Sequence, residues 1–107
     1  MNGGVYSIDE ICRIVYPIAK KYDISQVYLF GSYARGLADE NSDIDICIDA
    51  SDIKGMFAIG GIYSDLSTAL KKKIDLITLG SLNNCNNKEF VNNIRKDRVL
   101  IYERPAK

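Results

Sequence analysis

Apolar positions in "SIDEICRIVYPIAKKY" recur at helical intervals, with Ile8, Ile11, Ile14, Val15, Ile18 and Tyr22 on one stripe. Ser7 stands three residues before Glu10, the capping-box spacing, so the pattern predicts an amphipathic helix that starts near Ser7 and bends near Pro17. "QVYLF" (26–30) is short, β-branched and aromatic and ends at Gly31, as a buried strand does. "SDIDICID" (42–49) alternates strictly and predicts a second strand. From Met56 to Leu70, Ile59, Ile62, Leu66 and Leu70 recur at spacings of three and four, which predicts a helix weakened by Gly60 and Gly61. "KIDLITL" (73–79) reads as a third strand, "LNNCNN" (82–87) as a loop with helix-cap candidates, "KEFVNNIRK" (88–96) as a short helix and "RVLIY" (98–102) as an edge strand. No repeat or interdomain linker interrupts the pattern.

The alternating strand raises the first chemical question. Side chains change face at each residue, so Ile44, Ile46 and Ile48 make a core face while Asp43, Asp45, Cys47 and Asp49 share the other. Asp43 and Asp45 then lie roughly 7 Å apart at the backbone, near enough for their carboxylates to converge on one cation. An ordinary amphipathic strand would give the same D-x-D, its acids simply solvated. Two companions favour the chemical reading. Asp75 sits between Ile74 and Leu76 in an otherwise apolar strand, where a charge needs a partner or a metal unless the position is exposed. The turn "GSYARG" offers Gly31, which lets backbone approach a ligand, and Ser32, whose hydroxyl and N–H stand at an expected helix start that favours phosphate. Carboxylates facing one point without a cation would repel, so the set suits Mg²⁺.

Two rival motifs fail on the letters. A P-loop needs Lys and Ser or Thr after its second glycine, but Leu37 and Ala38 follow Gly36. An EF-hand loop begun at Asp43 meets Ile48 and Lys54 where Gly and Glu belong, and one begun at Asn41 meets Ile46 and Asp52.

Composition narrows the chemistry further. The chain has no histidine, which removes Ser-His-Asp and Cys-His nucleophile systems and imidazole-bound metals. Fourteen basic and fourteen acidic residues give no net charge, hence no global field to draw in nucleic acid. Three cysteines, Cys12, Cys47 and Cys85, form no C-x-x-C pair, so free thiols in a reducing cytoplasm are expected rather than a disulfide framework. No apolar run is long enough for a membrane span, and "MNGGVYSIDE" has no leader character. At 107 residues with 47% hydrophobic composition, one domain over 1–107 is expected.

"FGSYARG", "SDIDICI" and the acid of "KIDLI" together resemble the nucleotidyltransferase domain of the DNA polymerase beta superfamily, whose pattern is G-S, a spacer, D-x-D and a third acid. Within it the shortness and the ending "VLIYE" look most like the minimal, MNT-type members, often paired with a HEPN protein as toxin and antitoxin. The resemblance implies an α+β, two-layer fold in which helices pack on one face of a small mixed sheet. It implies that Gly31 and Ser32 hold the outer phosphates of a nucleoside triphosphate, with Arg35 either neutralising phosphate or standing as a surface arginine. It implies too that Asp43 and Asp45 bind Mg²⁺ and that Asp75 completes a second metal site. Two cations about 3.5–4 Å apart would serve an in-line displacement at the α-phosphate of ATP. Without histidine, Asp75 is the expected base. Tyr33 stands where many relatives have Arg, and it could stack on a nucleobase or cover the core edge. The expected acceptor is a hydroxyl of a HEPN-type partner, which receives AMP. Two other classes stay open: an antitoxin that masks its toxin by contact alone, and a small-molecule transferase of the antibiotic-modifying kind.

Overall fold

The structure, a computed structural model, describes residues 5–51, 53 and 56–105; the first four residues, read above for leader character, lie outside them. Helix α1 (Ile8–Lys21) starts where its capping box dictates. Ser7 Oγ accepts from the Glu10 N–H at 3.1 Å, and Glu10 Oε1 accepts from the Ser7 N–H at 2.8 Å. Asp9 and Glu10 in the first turn and Lys20 and Lys21 in the last complement the helix dipole. The helix continues through the exposed Pro17.

Next come β1 (Gln26–Phe30), the one-turn α2 (Gly31–Ala34), β2 (Ile44–Ile48), α3 (Met56–Leu70), β3 (Ile74–Thr78), α4 (Leu79–Asn83), α5 (Lys88–Asp97) and β4 (Val99–Glu103). The strands form one sheet in the order β3-β2-β1-β4. β1 pairs antiparallel with β2 and β4, while β2 and β3 run parallel, so the sheet is mixed. The parallel pair requires a crossover, and α3 supplies it.

Ile44, Ile46 and Ile48 have no exposed surface and pack among Ile11 and Val15 of α1 and Ile62, Leu66 and Leu70 of α3. Burying each isoleucine contributes about 1.5–3 kcal/mol. A slip of β2 by one residue would carry its acids into this core, so the core fixes the register. α1 and α3 thus make the helical layer of the expected α+β fold. The opposite face is not bare, however: Phe30 and Cys47 form a second cluster with Leu82 of α4 and Val91 and Ile94 of α5. The "LNNCNN" segment also departs from a simple loop. Its first two residues complete α4, which Thr78 caps by accepting from the Ser81 N–H and Asn84 ends as C-cap, and its last residue is the N-cap of α5, Asn87 Oδ1 accepting from Phe90 N–H at 3.0 Å.

The glycine pair of α3 has a structural cause at one position only. A Cβ on Gly61 would lie 2.7 Å from the Tyr22 hydroxyl, which itself donates to Asp65 Oδ2 at 2.9 Å, whereas a Cβ on Gly60 meets open space. Gly60→Ala should therefore stabilise the protein by about 0.5–1 kcal/mol through helix propensity. Gly61→Ala should lose that gain by displacing the Tyr22–Asp65 bond and recover it in a Tyr22→Phe background; thermal unfolding of the four variants checks both signs.

Candidate active site

The turn after β1 is built by two left-handed glycines. Gly31 and Gly36 both have φ +73°. Gly36 ends α2 in a Schellman arrangement, with Leu37 N–H donating to Ser32 O at 2.9 Å and Gly36 N–H to Tyr33 O at 3.3 Å. Gly31 has a further reason to lack a side chain, because a Cβ there would collide with Asp45 Oδ2. Phe30 is the cross-strand partner of Asp45, so the end of β1 delivers the bare glycine to the carboxylate.

β2 and β3 place Asp45 and Asp75 at the same register of a parallel pair. Both line a cleft of about 580 Å³, together with Gly31 and Arg35 from the turn and Phe90, Asn93, Lys96 and Asp97 from α5. That volume lies within the range of small-molecule sites, about 300–1,000 Å³. Asp45 is half-buried, and its carboxyl is pushed up from 3.8 to about 6, first by burial, then by the charges of Asp75 and Asp43, with Arg35 opposing. Arg35 also stands 4.0 Å from Asp97 in an exposed ion pair. Asp49, on the same strand face, is engaged elsewhere: its Oδ1 accepts from the Ser51 N–H at 3.0 Å, which lowers its pKa. Cys47 is buried, which pushes its thiol up to about 11, and it serves as a packing residue.

Of the residues singled out from the sequence, Gly31, Arg35, Asp45 and Asp75 meet at the cleft, while Ser32 and Asp43 lie outside its lining. Ser32 is half-buried in α2, and Asp43 is exposed just before β2 yet close enough to raise the Asp45 pKa. Among the described residues, no three acids or cysteines are grouped closely enough to hold a metal ion together. The expected three-acid cluster takes the form of a facing pair with a third acid nearby. Asp75 is exposed on an edge strand, so the argument that a charge in an apolar strand must be partnered does not hold for it. Tyr33 is 3% exposed within the main core, which removes the nucleobase-stacking option and leaves the core one.

The α5 wall escaped the sequence reading. "KEFVNNIRK" is legible as a helix, but only its packing shows that Val91 and Ile94 enter the second cluster while Phe90, Asn93 and Asp97 line the cleft. The 3–4 spacing of those three was the available signal.

The family model described as polymerase beta nucleotidyltransferase matches residues 14–107. This chain belongs to that family. The nucleotidyltransferase is 32% identical over 94 residues to a Methanocaldococcus jannaschii chain provisionally named a protein adenylyltransferase, covering 88% of the one and 91% of the other. It is 42% identical over 55 residues to protein adenylyltransferase MntA of Shewanella oneidensis, covering 51% and 40%. Its fold matches a chain of the solved complex described as tri-AMPylated Shewanella oneidensis HEPN toxin with MNT antitoxin. There the TM-score is 0.64 at 20% identity, over 91% of this chain and 73% of that one. Among the described residues, no helix is long and apolar enough to cross a membrane.

The Asp45 shift predicts a pH signature for the nucleotidyltransferase in chelator. Between about 4 and about 6 the folded chain keeps a proton on Asp45 that the unfolded chain has released, so stability falls as pH rises through that window. Asp45→Asn should remove this part of the slope and unfold at a higher temperature than wild type above pH 6, as calorimetry at stepped pH would register.

Proposed function

We propose that this nucleotidyltransferase transfers AMP from ATP to a hydroxyl of a HEPN-type partner protein, and that the modification is its antitoxin activity. The observation that carries the reading is the facing pair Asp45 and Asp75, held at one register on the cleft floor beside Gly31. The all-oxygen donor set suits Mg²⁺, and the raised Asp45 pKa marks a carboxylate that gains from a neighbouring cation. Asp43, Asp45 and Asp75 would hold the metal, two ions in the full set. When bound, it offsets triphosphate charge and the charge that builds on departing pyrophosphate.

The chain's own groups do the rest. Gly31 and Ser32 present backbone N–H and hydroxyl donors to the outer phosphates. Arg35 faces the same cleft, and its exposed ion pair with Asp97, worth about 0–1 kcal/mol, is weak enough to yield to phosphate. Asp75, exposed at the cleft, accepts the proton of the acceptor hydroxyl as the new oxygen–phosphorus bond forms at the α-phosphate and the α–β bond breaks to release pyrophosphate. Two lines support a protein acceptor: relatives bear the name protein adenylyltransferase, and the solved complex above pairs an AMP-modified HEPN toxin with an MNT antitoxin. Cys12, Cys47 and Cys85 are free thiols, which together with ATP use suits a reducing cytoplasm.

Intact-mass measurement of a HEPN partner after incubation with the chain, ATP and Mg²⁺ should show one or more added AMP groups. Asp43→Asn and Asp45→Asn should each lower the transfer rate at least about 100-fold while still binding the partner. Undiminished transfer by both variants would sink the carboxylate-metal assignment. An unmodified partner that is neutralised equally by wild type and variants would point instead to masking by contact.

A further inference from the structure

The cleft combines charged and apolar walls. Gly31, Arg35, Asp45 and Asp75 make one end charged, and Arg35 ties that end to Asp97 at the C-terminus of α5. Phe90 lies seven residues earlier, about 10 Å along the helix axis. Ile77 follows Asp75 by two positions on the same face of β3, about 7 Å further along the strand, and also lines the cleft. Ile94, one turn from Phe90, and Phe30, next to Gly31, are the other apolar residues of the wall, and Phe30 is buried.

Core packing does not explain Phe90. Val91 and Ile94 already carry α5 into the second cluster, and Phe90 remains 46% exposed. A half-exposed aromatic beside aliphatic side chains, continuous with a charged end, is a surface for a flat apolar group attached to a charged one.

We infer that Phe90, which lines the same cleft as Ile77, is the nucleobase shelf of the nucleotide site, the ring stacking on the base while the phosphates lie at the Gly31–Asp45 end. The inference rests on the nucleotide-transfer reading above and assigns a part of the site that reading leaves open. A nucleoside triphosphate matches the separation of Phe90 from the charged residues near Asp97, since its planar base and its anionic chain sit at opposite ends of one ligand. Stacking is tolerant of base identity because every base presents a π face, so Phe90 supplies affinity rather than selection among bases. The competing occupant is an aromatic side chain of the protein acceptor, which would make the same shelf part of the acceptor site.

The test compares ATP with inorganic tripolyphosphate, which carries the anionic chain without a base, both titrated in Mg²⁺ by calorimetry. Phe90→Ala should weaken ATP binding about tenfold, the effect of losing one base–aromatic stack, and leave tripolyphosphate affinity within about twofold. Retained tripolyphosphate binding also certifies that the variant is folded. The chain contains no tryptophan, so Phe90→Trp introduces a lone reporter at the shelf. Its emission should be quenched by ATP and not by tripolyphosphate. Equal ATP affinity in wild type and Phe90→Ala overturns the inference, as does equal quenching by both ligands. Equal ATP affinity with slower transfer to the partner would overturn it in favour of an acceptor subsite. A wild-type protein that binds neither ligand would overturn the nucleotide reading itself and this inference with it.

Discussion

Asp45 and Asp75 stand opposite each other on adjacent parallel strands, and the hydrophobic core does not let them part. Moving β2 by one position would carry Ile44, Ile46 and Ile48 out of the main core and turn the acids into it, at a cost of about 1.5–3 kcal/mol for each isoleucine that loses its burial. The repulsion between the carboxylates is small beside that. Burial and the charges of Asp75 and Asp43 therefore appear as a raised Asp45 pKa rather than as a shifted strand. The core thus holds Asp45 and Asp75 side by side despite their like charge.

Gly31 belongs to the same constraint. Strand pairing sets Phe30 opposite Asp45, so the residue that follows meets the carboxylate, and only a residue without Cβ and at ease with φ +73° fits there. Turn and acid are one unit for this reason: the glycine gives the carboxylate its space, and the same bend starts α2. The far wall depends on the second cluster. Val91 and Ile94 dock α5 over Cys47 and Phe30, and this leaves a cleft between the helix and the acids rather than an open sheet face.

Much of this architecture could be read from local pattern. The capping box at Ser7 and Glu10, the period-two alternation of β2 and the 3–4 spacing of α3 each act within a few residues, so their physics is present in the letters. The D-x-D pair and the Gly-Ser turn were legible for the same reason. What escaped depends on contacts far apart in the chain. The exposure of Asp75 follows from β3 being an edge strand, which "KIDLITL" cannot announce. Tyr33 joins the core because of how α2 packs. The need for Gly61 comes from Tyr22, the residue that ends α1. α4 is five residues long, too short for periodicity to reveal it. The role of α5 needed the sheet beneath it, since its sequence shows an amphipathic helix but not what lies across from Phe90.

The fold holds Asp45 against other acids, and in the function proposed above a cation and its triphosphate complete the site. Carbon-detected NMR of the Asp45 carboxyl over a pH titration tests it directly. Without metal the carboxyl should titrate near 6, and with Mg²⁺ and a non-hydrolysable ATP analogue its midpoint should drop below the ordinary 3.8. A midpoint near 3.8 in the metal-free protein, unmoved by Mg²⁺ and nucleotide, would mean that the neighbouring acids do not act on Asp45 and that no cation binds there.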